Sequence, residues 1–455
     1  MLRFIVSFTL PALLLFSCNE QPSKVHIYEY DVESPFGNFV VKTPDFSDVS
    51  SFNITEFGAL KDDQLATTEA IALSIEKAAA AGGGKVIIPE GEWLTGKIHL
   101  KSNVDLHLER GAKLIFSDNP EDYLPPVHTT WEGLECYNYS PLIYAYNCQN
   151  VAITGAGELY AKMDHWKTWF GRPPGHMNSL KRLYELAVKD SLVEHRQMVN
   201  DSAHFRPQFI QFNRCENVLL EDITIRNSPF WVIHPYLSKD VTIRNVNVQA
   251  HGHNNDGVDP EMSQQVLIED CLFDQGDDAI AVKSGRNQDA WRLNTPAKNI
   301  VIRNCKVLNG HQLLAIGSEL SGGIENISIS DCEVAPNAKL NHLLFIKTNE
   351  RRGGYVKHIF MNNIKAGSIA AGILGIETDV LYQWRDLVPT YERRLTPISN
   401  VTMKDIKATN VDFISRVLGQ EDLPVKDIQM VRISTDTVRS ETPNIHEALE
   451  NFKTE

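Results

Sequence analysis

The chain has 455 residues, 42% hydrophobic and 22% charged, ample for a sizeable core in one elongated domain or two to three compact ones. Composition excludes collagen, wholesale disorder and an integral membrane bundle. With 58 acidic against 44 basic residues the formal charge is −14, which argues against a nucleic-acid partner held by bulk electrostatics.

Arg3 precedes an almost wholly apolar run from Phe4 to Phe16, closed by Leu15-Phe16-Ser17-Cys18. This reads as a secretory signal over residues 1–18. The ending resembles the bacterial lipobox, which makes Cys18 the lipidated first residue of the mature protein. The expected location is therefore the periplasm or outer membrane of a Gram-negative bacterium, with membrane contact only through the lipid. Residues 19–50 carry Pro, Ser and Asp without periodicity and read as a tether or edge segment. Thr67 to Ala81 is Ala-rich, with Ile71, Ile75 and Ala78 on one face and Gly82-Gly83-Gly84 as a stop. It reads as a short amphipathic helix that caps the end of the fold.

From Val151 onward a six-residue phrase recurs, starting at Val151, Val218, Val241, Val266, Ile300, Ile327, Ile359, Val401 and Ile428. Its third position is Ile153, Leu220, Ile243, Ile268, Ile302, Ile329, Met361, Met403 and Met430. Its sixth is Ala156, Ile223, Val246, Cys271, Cys305, Cys332, Ile364, Ile406 and Ile433. In most phrases Asn or Asp stands just before the sixth position, as at Asp222, Asn245, Asp270 and Asn304, and another polar residue precedes each phrase. Alternation of this kind is a strand with one buried face. Asn and Asp at a fixed offset are turn chemistry, since they bond locally and tolerate the left-handed region. Spacings of 23 and 25 residues between Val218, Val241 and Val266 suit one coil of a parallel β-helix, with longer gaps looping out as surface excursions. Cys271, Cys305 and Cys332 then form an interior ladder of buried thiols; Cys136 and Cys148 are left open to pairing. Residues 162–203 break the repeat with aromatic and helix-forming stretches, notably Leu180 to Asn200, and read as an insertion beside a cleft. The domain spans 51–440, and the polar tail, 441–455, reads as a short helix.

The chemistry lies in a later strand of each coil. Aligning Val258, Ile280, Leu314 and Leu344 as inward residues brings Asp256, Asp278 and Gln312 into register, and Asn255 with Asp277 and His311. Rungs stack about 4.8 Å apart. Three aspartates thus share one outer face within about 5 to 10 Å, with a histidine one rung on. Like charges so close raise at least one pKa, leaving a protonated acid beside ionised partners. Glycosidic cleavage needs that pair: one carboxyl to protonate the leaving oxygen, another to activate water. An Asp-rich turn ladder or a calcium site are the structural alternatives. His251-Gly252-His253 lacks a third ligand motif, so no metal is expected there, and His234 reads as structural.

These segments resemble glycoside hydrolase family 28, the polygalacturonases. The family's Asn-Thr-Asp, (Gly/Gln)-Asp-Asp, Gly-His-Gly and Arg-Ile-Lys stand here as Asn254-Asn255-Asp256, Gly276-Asp277-Asp278, Gly310-His311-Gln312 and Phe345-Ile346-Lys347. Lys283-Ser284-Gly285-Arg286 and Arg351-Arg352-Gly353-Gly354 look most like the bacterial exo-acting branch. The resemblance implies an all-β, single-stranded, right-handed parallel β-helix of the pectin-lyase type, with no cofactor. It implies inverting hydrolysis of α-linked galacturonic acid in pectic polysaccharide or oligosaccharide by a monomer acting from a chain end. In that assignment Asp277 is the general acid, Asp256 and Asp278 activate water, His311 supports the aspartates and Lys347 binds a substrate carboxylate. Two departures stand out. Phe345 replaces the family arginine and Gln312 the second glycine, which opens rhamnogalacturonan-type or decorated fragments as substrates. Phe345 faces the cleft in this register and suits stacking on a sugar face. Lys283, Arg286, Lys347, Arg351 and Arg352 are candidates for a cationic patch that meets a polyanion, and Tyr382 is a candidate sugar contact. The rival readings are a pectate lyase on the same architecture and a non-catalytic β-helical carbohydrate-binding surface protein.

Overall fold

In the computed structural model, residues 24–200, 202–382 and 384–455 are described. The signal segment and Cys18 lie outside them. No helix among the described residues is long and apolar enough to cross a membrane.

The chain winds as a right-handed parallel β-helix. Each winding contributes up to three short strands, and each strand pairs in parallel with its counterpart in the next winding. The first position of the repeat forms one unbroken ladder. Val151 pairs with Val218, Val218 with Val241, Val241 with Val266, Val266 with Ile300, and so on through Ile327, Ile359, Val401 and Ile428. All nine are buried, because side chains of period two from this position point into the cylinder. The turn reading also holds: Asp222, Asn245, Asp270, Asn304, Asp331, Asn363 and Asp405 all have φ between 50° and 66°. Their side chains ladder too, the Asn245 amide donating to Asp222 Oδ1 at 2.7 Å and Asn363 to Asp331 at 2.7 Å.

Cys271, Cys305 and Cys332 stack on consecutive rungs inside the cylinder, buried and unbridged, with the Cys305 N–H donating to Cys332 Sγ at 3.4 Å. Cys136 and Cys148 do not pair. Cys136 lies in the cluster under the insertion and Cys148 in the main core. Ala156 departs from the pattern: it is exposed, and Gly157 takes its place in the column. A side chain at Gly157 would meet the Leu108 Cβ at 2.5 Å, so the preceding winding leaves room there only for glycine.

The N-terminal end is closed by a helix, α1 (Gln64–Ala80), as expected. Asp63 caps it, accepting the Ala66 N–H at 3.0 Å, and Ala70, Ile71, Ile75 and Ala78 lie in the core against Val86 and Ile88. Within 24–50 the chain is not a tether. His26–Val32 and Phe39–Asp45 form an antiparallel hairpin on the outer face, where Val32 and Val41 pack on Leu267 and Val301. The C-terminal tail is not a helix either. Asn444–Glu447 and Leu449–Thr454 add one more winding, with Phe452 pairing onto Ile428. Leu449, left-handed Asn451 and Phe452 repeat Val425, Asp427 and Ile428 of the preceding winding, a rung that the polar composition concealed.

Two excursions matter for the site. The first is a hairpin, Val127–Trp131 with Leu134–Asn138, that sequence reading missed. The second is the insertion, whose helix, α2, runs His176–Val188 and not Leu180 to Asn200. Gly175 at φ 92° opens it and Asp190 at φ 53° ends it, after which the chain is irregular. Leu180, Leu183, Tyr184 and Ala187 form its buried face. That face packs with Trp131, Phe205 and Phe230, the Trp131 ring stacking on both phenylalanines at 4.4 Å, and so binds insertion and hairpin into one wall.

Candidate active site

The strands that carry the carboxylates stack as the alignment requires. Val258 pairs with Ile280, Ile280 with Leu314 and Leu314 with Leu344, all inward and buried. Asp256, Asp277, Asp278, His311, Gln312, Phe345, Lys347 and Tyr382 therefore line one cavity of about 390 Å³, within the range of small-ligand sites. Lys283 and Arg286 line it as well. Its walls are Glu132 at the tip of the hairpin, Arg172 of the insertion, Trp231, His253, Asn254 and Glu319. The site is more enclosed than an outer face: Asp256 is 3% exposed and Asp278 1%, while the Asp277 side chain keeps 20%.

The charges are paired in a fixed order. The His311 ring N–H donates from Nδ1 to Asp277 Oδ1 at 2.9 Å, and the Lys347 ammonium donates to Asp278 Oδ2 at 3.1 Å. Oδ1 of Asp278 has no hydrogen-bond partner within the described protein. Lys283 reaches Asp256 at 3.3 Å and Asp259 and Glu319 at 3.5 Å each, over the Trp231 ring at 4.5 Å. Arg286 holds Glu319 at 2.5 Å and Glu132 at 3.2 Å.

Burial and the neighbouring Asp277 carboxylate push Asp256 up to about 7, and burial raises Asp278 as well. Asp277 behaves oppositely. Burial raises it, but the His311 hydrogen bond and the Lys347 charge prevail and hold it below the usual carboxylate range. The crowding expected to raise a pKa does so, yet at Asp256 and Asp278 and not at the residue matched to the general acid. His311 rises in return through its bond to Asp277.

Of the expected cationic patch, Lys283, Arg286 and Lys347 line the cavity, whereas Arg351 and Arg352 do not. Lys283, Arg286, Arg351 and Arg352 are all buried. Arg352 donates to the Ser318 carbonyl at 2.7 Å and to Asn287 at 2.8 Å, and Arg351 to Thr390 at 2.9 Å, so these cations organise the walls. Phe345 lies flat on the His342 ring at 4.5 Å, with its remaining edge on the cavity. Tyr382 is 58% exposed at the mouth. His251 pairs with Asp274 at 2.9 Å, away from His253, so the two histidines do not converge. His234 is buried against Glu261 at 2.9 Å, a structural contact. Asp277, Asp278 and His311 offer donor atoms within 4.8 Å of one another, but Lys347 already sets a positive charge against Asp278. Glu132, Arg172 and Glu319 escaped the sequence reading because no repeat position or motif marks them.

The model of glycosyl hydrolases family 28 matches residues 193–451, more than half of the chain. The chain belongs to glycoside hydrolase family 28. It is thus a glycoside hydrolase. A hyperthermoactive exopolygalacturonase from Thermotoga maritima superposes with a TM-score of 0.82 at 37% identity, over 91% of this chain and 93% of that one. A probable polygalacturonase from Vitis vinifera is 29% identical over 81% of this chain and 71% of its own. An exo-poly-alpha-D-galacturonosidase from Dickeya chrysanthemi is 28% identical over 63% of this chain, which spans about half, 51%, of that longer protein.

Proposed function

We propose that this family 28 enzyme releases α-linked galacturonic acid from the end of a pectic chain with inversion of the anomeric centre. The observation that carries the reading is the cavity, which holds the three aspartates and is walled by Glu132 on one excursion and Arg172 on the other. A cavity of that kind suits a chain terminus better than the middle of a polymer.

In this reading Asp277 protonates the leaving oxygen, and Asp256 and Asp278 activate the water that attacks from the opposite face. Asp277 is ionised in the free protein, and substrate changes that. A uronate carboxylate at Lys347 adds a negative charge and offsets the ammonium that held Asp277 low, and both effects raise its pKa. His311 orients the Asp277 carboxyl. Lys347 binds a carboxylate, while Tyr382 and the edge of Phe345 contact sugar faces. Phe345 in place of an arginine also suits a neutral sugar carried elsewhere on the fragment, as a branch or a further unit, as in rhamnogalacturonan-type or decorated fragments. Lipidation at Cys18 belongs to the same reading and sets a monomeric enzyme on a membrane surface in the periplasm or outer membrane.

Defined pectic oligosaccharides test it, with product mass and anomeric form recorded. The expected product is a monosaccharide of inverted configuration, with no ultraviolet-absorbing unsaturated sugar. Asp277→Asn is expected to lose about a thousandfold or more in turnover while keeping its fold. An unsaturated product identifies a lyase; turnover that survives Asp277→Asn removes that residue as the acid.

A further inference from the structure

A polyuronate brings a carboxylate on every sugar, so the cavity must offer cations that the protein has not already neutralised. Four basic side chains line it: Arg172, Lys283, Arg286 and Lys347. Lys283 is shared among Asp256, Asp259 and Glu319, and Arg286 between Glu132 and Glu319. Lys347 is paired with Asp278. Arg172 differs: among the described residues it forms no ion pair or side-chain hydrogen bond, and only its backbone N–H is engaged, to the Trp169 carbonyl at 3.2 Å.

Its position is built. Arg172 sits in the left-handed region, φ 52°, just after Phe170, whose ring lies so close to Gly252 that a side chain there would meet Phe170 Cζ at 2.6 Å. The segment is thereby seated on the turn that leads into Asp256. Lys347 enters from the other end, three rungs beyond Glu261 in the same column, or about 14 Å along the cylinder. Both cations line the cavity that holds the aspartates.

We propose that Arg172 binds the carboxylate of a galacturonate unit on the side of the reacting bond away from Lys347, with a guanidinium fork supplied by the insertion. A guanidinium fits a carboxylate with two parallel hydrogen bonds, which an ammonium cannot do. The inference rests on the galacturonate reading above and narrows it: two acidic sugars flank the cleaved bond, each with its own cation.

The experiment measures kcat and KM of the full-length enzyme, Arg172→Gln and Arg172→Lys on galacturonate oligosaccharides and on the same oligosaccharides as methyl esters. The expected result for Arg172→Gln is a KM on the acid raised at least tenfold with kcat within a few-fold. Its preference for acid over ester falls by the same factor, and Arg172→Lys recovers part of it. Because the Arg172 side chain makes no hydrogen bond or ion pair among the described residues, the melting temperature is expected to stay within a degree or two, which separates lost binding from lost folding. An unchanged acid-to-ester preference overturns the assignment. If wild-type enzyme cleaves neither substrate, it is the galacturonate reading that has failed, whatever the variants do.

Discussion

At the scale of single residues, the site depends on buried charges whose partners decide their state. Lys283 illustrates the rule. The sequence offered it as part of a cationic patch for a polyanion, but three carboxylates claim it, and it keeps the buried charges of Asp256, Asp259 and Glu319 tolerable at the cavity. A carboxylate without such a cation is costly, and Asp105 shows how much pH matters to it. It is 1% exposed, and burial pushes it up to about 7 although Thr154 donates to both its oxygens at 2.9 and 2.8 Å. A carboxyl that binds its proton more tightly in the folded state costs nothing below the unfolded pKa of about 4, and destabilises increasingly as pH rises towards 7. Asp105→Asn removes that cost. Its melting temperature is expected to match the wild type near pH 4 and to exceed it at pH 8. Thermal melts at the two pH values decide it, and a variant no better at pH 8 than at pH 4 would speak against a buried charge.

Among the elements, the hairpin and the insertion turn an open sheet face into a pocket. The hairpin tip is held where Gly133, at φ 83°, accepts the Arg286 N–H at 3.0 Å. A side chain at Gly133 would stand 2.9 Å from the Arg286 backbone nitrogen and would need a left-handed conformation that glycine alone adopts freely. Gly133→Ala is therefore expected to lift the tip and with it Glu132, at a stability loss of about 1 to 3 kcal/mol. If the hairpin closes the cavity to internal bonds, the variant gains oligosaccharide products at early reaction times. Chromatography of the products beside a thermal melt tests both parts, and a destabilised variant that still yields only monosaccharide would assign the closure to the insertion.

For the whole molecule, the cylinder is stabilised by repetition: every winding buries the same columns against the next. No disulfide joins the six cysteines of the described residues, and all six are buried. The melting temperature is accordingly expected to be the same with and without a strong reductant. A thiol reagent should react with these six only after denaturant is added. Rapid reaction in the native state would mean that windings open locally, and a reductant-sensitive melt would mean that a bridge forms.

What the amino-acid order determined alone is the part set by short-range periodicity. Strand alternation, left-handed Asn and Asp at the turns and the pairing ladder from Val151 to Ile428 are local patterns, and stacking them in register suffices to gather Asp256, Asp277, Asp278 and His311. Even there, Ala156 and the C-terminal winding were hidden, one by a glycine-dependent turn and the other by a polar composition. The tertiary structure decided the enclosure and the charge state. Glu132 and Arg172 reach the cavity on excursions with no repeat to mark them. The choice of which cations are consumed by internal carboxylates is made by three-dimensional neighbours such as Glu319. The physical reason is range: hydrogen-bonded strands transmit position from rung to rung, whereas burial and Coulomb interactions depend on every group within several ångströms, wherever it stands in the chain.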